Sequence, residues 1–229
     1  MNIKRNFIKK ISNICKAALA LIIFGCVYSF TNHPSAFHTC GLKVPLSDEI
    51  GYDELELNYY YDSIFYFNPD YQTRSFDFPV GKPNGKNYYL ASRFGQRNHL
   101  GEDWNGKGGG NTDLGDPVFA ISNGLVTKAE EICCGWGKVV RVVHKLEGHP
   151  EFKYLESVYA HLDQIYVTEG QLLVKGQNLG TIGTANGKYL AHLHLELRDF
   201  LDMSMGPGYS EDWEGYLDPS YFIRNNRHF

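Results

Sequence analysis

Three short histidine-bearing stretches of this 229-residue chain, two of them with carboxylates beside the imidazoles, have spacings suited to metal chemistry. They are His99-Leu100-Gly101-Glu102-Asp103, Tyr159-Ala160-His161-Leu162 and His192-Leu193-His194-Leu195-Glu196. In an extended strand alternate side chains share a face, so His192, His194 and Glu196 project one way and Leu193, Leu195 and Leu197 the other. The leucines then lie on a core and the two imidazoles stand side by side over a groove. A catalytic zinc takes three protein ligands, commonly His and carboxylate, and leaves a fourth position open. His99 and Asp103 offer an imidazole and a carboxylate from a turn in which Gly101 lets the backbone bend back. Adding His194 completes a two-His, one-carboxylate set. Glu102 competes with Asp103, and only one of His192 and His194 needs to be a ligand.

The order His-x-Gly-x-Asp, Tyr-x-His-Leu, His-x-His-x-Glu resembles the lysostaphin-type zinc endopeptidases of bacterial cell-wall metabolism. The likeness runs from about Pro79 to Arg198 and includes smaller pieces: Arg93-Phe94-Gly95-Gln96-Arg97, Gly115 to Ala120, Asn123-Gly124-Leu125-Val126, and the glycine-spaced stretch 170–183. The resemblance implies that His99, Asp103 and His194 bind one zinc ion, and that His161 and His192 are the catalytic histidines. It also implies a mostly β domain with few short helices, an antiparallel sheet or sandwich groove of the duplicated-hybrid-motif type. The implied activity is hydrolysis of peptide bonds in peptidoglycan, at stem peptides or cross-bridges. Two other readings follow from the same residues: a non-catalytic domain of this fold that binds the wall or activates another hydrolase, and a secreted general zinc peptidase. The chain departs from the family pattern in the glycine-rich loop Asn105 to Asp113, in an added segment Glu147 to Glu156, and in residues 201–216. All three fall where groove walls would be built.

The elements that must hold these residues read as short strands: Pro117 to Ile121, Gly124 to Ala129, Lys138 to His144, Ser157 to Ala160, Gln171 to Val174 and Ala191 to Leu197, mostly separated by Gly, Asn or Asp turns. No long stretch of period 3.6 occurs after residue 79, so helices should be few there. Asp218 and Pro219 are placed to cap and begin a short terminal helix. Gly106 to Gly110 lacks the spacing of a phosphate loop. His144 alternates with Val140 and Val142 and is a candidate for the groove, whereas His33, His38, His149 and His228 read as tether, loop or tail.

Both ends carry further signals. Residues 1–26 hold Lys4, Arg5, Lys9, Lys10 and Lys16 without an acid, followed by the apolar run Ala17 to Gly25. This predicts an export signal, either cleaved or used as an anchor, and Ile23-Phe24-Gly25-Cys26 resembles a lipobox at which Cys26 would be lipidated. The chain is then exported, to the cell envelope or beyond, with membrane contact through an N-terminal lipid or anchor. Residues 27–78 read as a tether and an aromatic-rich extension whose density of Tyr and Phe suits packing on the domain. The peptidase domain spans 79–200, and 201–229 form a C-terminal extension packed on it. Removing the five basic residues of the leader leaves 17 basic against 26 acidic side chains, a net charge of −9. Such an acidic surface excludes nucleic acid as the natural partner. Nothing in the sequence sets the oligomeric state. Five cysteines fit no zinc ribbon; Cys40 is in reach of a bridge to Cys133 or Cys134 only if the fold brings them together.

Overall fold

The computed structural model describes residues 54–228. The leader, Cys26, Cys40, His33 and His38 lie outside these residues. Ten strands form one sheet: β1 (Tyr88–Ser92), β2 (Glu102–Gly106), β3 (Pro117–Phe119), β4 (Gly124–Ile132), β5 (Gly137–Lys145), β6 (Tyr154–Ile165), β7 (Leu172–Leu173), β8 (Asn178–Ile182), β9 (Leu193–Arg198) and β10 (Tyr216–Leu217). The main path runs β1-β2-β9-β6-β5-β4-β7, with β10 on β9 and β8 joining β3 to β6. All pairings between these strands are antiparallel. The fold is mostly β with few helices, here α1 (Glu54–Phe67) and α2 (Pro219–Asn225).

One face of the sheet is the main core. Leu193, Leu195 and Leu197 point into it beside Val140, Val142, Leu155 and Tyr159, and the segment Phe76 to Val80 and Phe222 and Ile223 of α2 cover it. The opposite face is shared. Near one end Tyr61 and Phe65 of α1 pack on Leu125, Val143 and Tyr154. Elsewhere on that face lie Trp136, Val139, Val158 and Ala160 and the histidines described below.

Helix α1 went unread in the sequence. Its buried stripe, Leu57, Tyr61, Ile64 and Phe65, has the i, i+4, i+7, i+8 spacing of an amphipathic helix. The exposed Tyr59, Tyr60, Tyr66 and Phe67 on the other side obscure that spacing. Asp62 also ties the helix to the sheet, accepting from Lys145 (2.8 Å), Lys153 (2.7 Å) and Tyr154 Oη (2.7 Å). Four strands were also missed: β1, β2, β8 and β10. β2, Glu-Asp-Trp-Asn-Gly, has no apolar alternation, β1 and β8 are only five residues each, and β10 is two.

At the chain's end Asp218 caps α2 by accepting from the Tyr221 amide at 2.8 Å, with Pro219 in the first turn. Ser220 of the same turn reaches back into the sheet and donates to Glu102 at 2.7 Å, and Trp104 Nε1 donates to the same oxygen at 3.2 Å. Glu102 is therefore turned toward α2, not toward the histidines. Burial raises its carboxyl from the ordinary 4.5 to about 7, against the lowering effect of its two donors. The folded state binds this proton more tightly than the unfolded chain does. Glu102 thus contributes stability that is complete below pH 4.5 and is lost as pH rises through about 7. Glu102→Gln keeps both hydrogen bonds and has no charge to bury. It is expected to melt higher than the parent at about pH 8 and to match it near pH 4, a difference of at most about 3 kcal/mol. Thermal melts of both proteins across that range test this, and equal pH slopes would contradict it.

Candidate metal centre

The register of three strands assembles the site. In the β2–β9 pair Asp103 stands directly opposite His194, and in the β6–β9 pair Ala160 stands opposite His194 from the other side. Directly opposed residues share a face with Cβ atoms about 5 Å apart. Asp103 Oδ1 accordingly reaches His194 Nδ1 at 3.0 Å. His99 arrives from the turn before β2, its Nε2 3.1 Å from His194 Nδ1 and 3.5 Å from Asp103 Oδ1. Ser92 Oγ holds the other nitrogen of His99 at 3.1 Å, and Tyr209 stacks on its ring, centroids 4.9 Å apart.

Gly101 acts differently from the expectation. Its φ lies outside the positive region, so it does not fold the chain back. It makes room instead: a Cβ there would meet Leu195 O at 2.6 Å and His194 Cε1 at 2.9 Å. Only glycine lets the His99 segment lie this close to β9.

The donor set fits a tetrahedral ion. Three ligands about 2.1 Å from a zinc ion stand roughly 3.4 Å from one another, and the three separations here are 3.0, 3.1 and 3.5 Å. The same three residues are the group of metal-binding type found among the described residues. Glu102, the competing carboxylate, is directed elsewhere, as shown above. His192 Nε2 is 3.6 Å from Asp103 Oδ1 but is not part of the three-donor group.

Behind His194 runs a buried line of alternating charge. Its Nε2 lies 3.2 Å from Glu196 Oε1, and Arg198 donates to Glu196 Oε2 through Nε at 2.9 Å and Nη2 at 2.5 Å. Arg198 also approaches Glu156, which takes a two-pronged contact from Arg141 at 3.1 and 2.7 Å. Glu196 does not face solvent; it is fully buried, as is Arg198. With Nε2–H given to Glu196, the tautomer of His194 that suits a ligand leaves the Nδ1 lone pair facing His99 and Asp103. Burial would lower the His194 pKa, but hydrogen bonds to Asp103 and Glu196 hold it up at about 9. Burial likewise works to raise the Asp103 carboxyl, yet the hydrogen bond and charge of His194, with His99 and His192, keep it below its ordinary value. Sequence reading found Glu196 but missed Arg198, Glu156 and Arg141. The signal was present in His194, Glu196 and Arg198, every second residue on one strand face.

His161 reaches the site by an irregular backbone. Alternation along β6 gives Ala160 the face of His194, so His161 should point into the core. Its φ of 62° breaks that alternation, at the point where β6 leaves β9 and takes up β8. The His161 ring ends 4.7 Å from that of His192 and 5.4 Å from that of His194, centroid to centroid. Its Nδ1 is 3.1 Å from Trp136 O, and His192 Nδ1 is 2.8 Å from Leu190 O. A backbone carbonyl can only accept, so both rings carry their proton on Nδ1 and keep Nε2 as a base. Burial, helped by the two neighbouring imidazoles, pushes the pKa of His161 down to about 3, and the ring is neutral. His144, the other candidate, is not in the groove. It is buried between Asn123 O (2.7 Å) and Ser157 Oγ (2.8 Å), and its pKa falls to about 4.

These groups line a cleft of about 240 Å³ whose walls include Cys134, Gly135, Trp136, Tyr189 and Pro207 to Tyr209. Residues 206–210 form one wall: Leu100 donates to Gly208 O and Ser210 to Asn98 O, while Trp136 Nε1 donates to Gly206 O at 3.0 Å. A larger cavity of about 550 Å³, lined by residues of α1 and by Glu151 to Tyr154, contains no histidine.

Comparison with known proteins agrees with the motifs. The model of peptidase family M23 matches residues 97–206. The lipoprotein NlpD of Yersinia enterocolitica is 33% identical over 84 residues, which are 37% of this chain and 78% of that protein. Among solved structures, a zinc-containing peptidase from Vibrio cholerae aligns with a TM-score of 0.41 at 24% identity, over 55% of this chain and 37% of that one. The catalytic domain of lysostaphin from Staphylococcus simulans aligns with a TM-score of 0.42 at 20% identity, over 69% and 96%. The chain thus spans little more than a third of the Vibrio peptidase. On the family match and the NlpD relationship together, the chain belongs to peptidase family M23.

Proposed function

We propose that this protein is a zinc-dependent endopeptidase that hydrolyses peptide bonds of peptidoglycan in cell-wall remodelling. The observation that carries the reading is the three-donor cluster of His99, Asp103 and His194, 3.0 to 3.5 Å apart, with two more histidines at its edge whose Nδ1 atoms are tied to backbone carbonyls. His99, Asp103 and His194 would hold one zinc ion. Zinc bound there would polarise a scissile carbonyl and acidify water. His161 and His192 handle protons: each has Nδ1–H tied to a backbone carbonyl, which aims its Nε2 and leaves it free to accept. Trp136 and Tyr189 flank these rings, with Tyr189 5.1 Å from His161. Substrate would lie along the cleft between the Tyr189 side and the wall formed by 206–210.

In this reading residues 79–200 are the peptidase domain and 201–229 an extension that completes the cleft. Residues 1–26 direct export, and a lipid on Cys26 or an uncleaved leader would hold the domain at the envelope, with 27–78 as its tether and extension. Among the described residues no helix is long and apolar enough to cross a membrane. The substrate is the stem peptide or cross-bridge. A silent wall-binding role is disfavoured because all five positions are filled.

Two experiments test this. His194→Ala is expected to lose zinc and hydrolysis together, while His192→Ala retains stoichiometric zinc and loses turnover. Metal analysis and fragment release from purified peptidoglycan, with casein as the comparison substrate, report both. Full activity in either variant contradicts the assignment, and casein cleavage without wall cleavage would make the protein a general peptidase. Glu196→Gln preserves the shape around His194 but removes the charge behind it. A zinc affinity about 10- to 100-fold weaker in chelator competition is expected, and unchanged affinity would remove Glu196 from the account.

A further inference from the structure

The hairpin between β4 and β5 ends in two adjacent cysteines, a feature that the hydrolytic reading leaves unused. Cys133 and Cys134 are exposed, and their Sγ atoms lie 2.8 Å apart, about 0.8 Å beyond a disulfide bond. The backbone is already turned there, with φ of 65° at Cys134 and 99° at Gly135. The turn is also wired to the site. Trp136 N donates to Cys133 O at 3.3 Å and closes it. Trp136 O then accepts from both His161 N, at 3.0 Å, and His161 Nδ1, at 3.1 Å. The Trp136 ring meets His194 edge-on at 5.3 Å. Gly135 is pressed against Tyr189, whose hydroxyl would lie 2.6 Å from any added Cβ. A change at the two sulfurs therefore has a short route to the imidazole that handles the proton.

We propose that Cys133 and Cys134 form a reversible dithiol–disulfide site, and that closing its ring resets the turn through which Trp136 holds His161. The oxidant is a low-molecular-weight disulfide. One cysteine, as thiolate, attacks a sulfur of that disulfide, forms a mixed disulfide and expels one small thiol. The neighbouring thiolate then attacks the protein sulfur of the mixed disulfide, forms the Cys133–Cys134 bond and expels the second small thiol. The two cysteines lose two protons and two electrons, and the external disulfide gains them. Adjacent Cα atoms are only about 3.8 Å apart, less than the 4.4 Å at which ordinary bridges begin. Exposed bridges of this kind are the ones that reduce readily, so the step is reversible.

The consequence for hydrolysis rests on the catalytic reading of His161; the chemistry of the sulfurs does not. The test uses the full zinc-loaded chain, incubated with oxidised glutathione or with a dithiol reductant, then digested and weighed. The peptide holding both cysteines is expected to be lighter by two hydrogens after oxidation, to carry no glutathione, and to recover its mass on reduction. Tryptophan emission should shift with the same reversibility in the parent and stay constant in Cys133→Ser and in Trp136→Phe. Turnover on purified peptidoglycan should differ severalfold between the two forms at equal zinc content, and Cys133→Ser should not respond to the oxidant. Stable glutathione adducts, a bridge from either residue to Cys40, or two unreacted thiols would overturn the ring. A ring that forms without any change in emission would overturn its coupling to Trp136. If the ring and the emission shift are present but neither form cleaves peptidoglycan, the catalytic reading fails and the redox site stands.

Discussion

The pairing of β2 with β9, Asp103 against His194, fixes everything else in the site. Two of the three donors are placed by backbone hydrogen bonds of a sheet, not by the side-chain preferences of a loop. The side-chain period of a strand is two, so a slip of one residue would send His194 into the core and Leu193 or Leu195 into the cleft. The leucines hold that register. Leu193, Leu195 and Leu197 are fully buried on the far face, and burying each is worth about 1.5–3 kcal/mol. The same residues that supply the core thereby specify which face the imidazole occupies. Gly101 completes the constraint by allowing the His99 segment against β9, where any side chain would strike the carbonyl of Leu195.

The buried charges beneath His194 need a different explanation. Taking Arg141, Glu156, Arg198 and Glu196 out of water costs several kcal/mol per ion, and an apolar set of the same volume is often as stable or more so. Net stability therefore gives no reason for this line. Orientation does. Glu196 can hold the His194 proton on Nε2 only if its own carboxylate is fixed, and Arg198 fixes it with two hydrogen bonds to one oxygen. Arg198 in turn is held by Met203 O and by the face of Tyr216, both in the segment that follows β9. The segment after β9 thus meets the site twice, as a cleft wall through Tyr209 and, by way of Arg198, beneath His194 through Met203 and Tyr216.

What could be read in the sequence was what strand periodicity and motif order carry. The alternation of His194 and Glu196 with three leucines gave the face and the core of β9, and the Asp218-Pro219 pair gave the start of α2. The choice between Asp103 and Glu102 could not be made from spacing, because they are neighbours on one strand and either could face the histidines. Burial of Ser220 against Glu102, 118 positions apart, decides it. Nor could the sequence give the rotation of His161, since alternation assigns that side chain to the core. The charge line was half legible: the β9 members share a visible period, but Arg141 and Glu156 join them only through pairings between distant strands.

The irregular backbone at His161 explains how the histidines divide. Donors that share an ion need fixed mutual distances, and paired strands provide them for Asp103 and His194. A group that takes a proton from beside the ion has to approach from outside that row, and regular alternation from β6 offers only Ala160 there. A left-handed residue at the point where β6 changes partner solves the geometry: it turns one extra side chain onto the cleft face and returns Leu162 to the core. His192, the other histidine proposed to handle protons, stands one residue before β9 in an isolated bridge to Gly183. Non-glycine residues with positive φ persist where the surroundings over-determine them. For His161 the surroundings are the two contacts to Trp136 O, backbone and side chain alike. The histidine proposed to handle protons is consequently held by the β4–β5 turn as well as by its own strand.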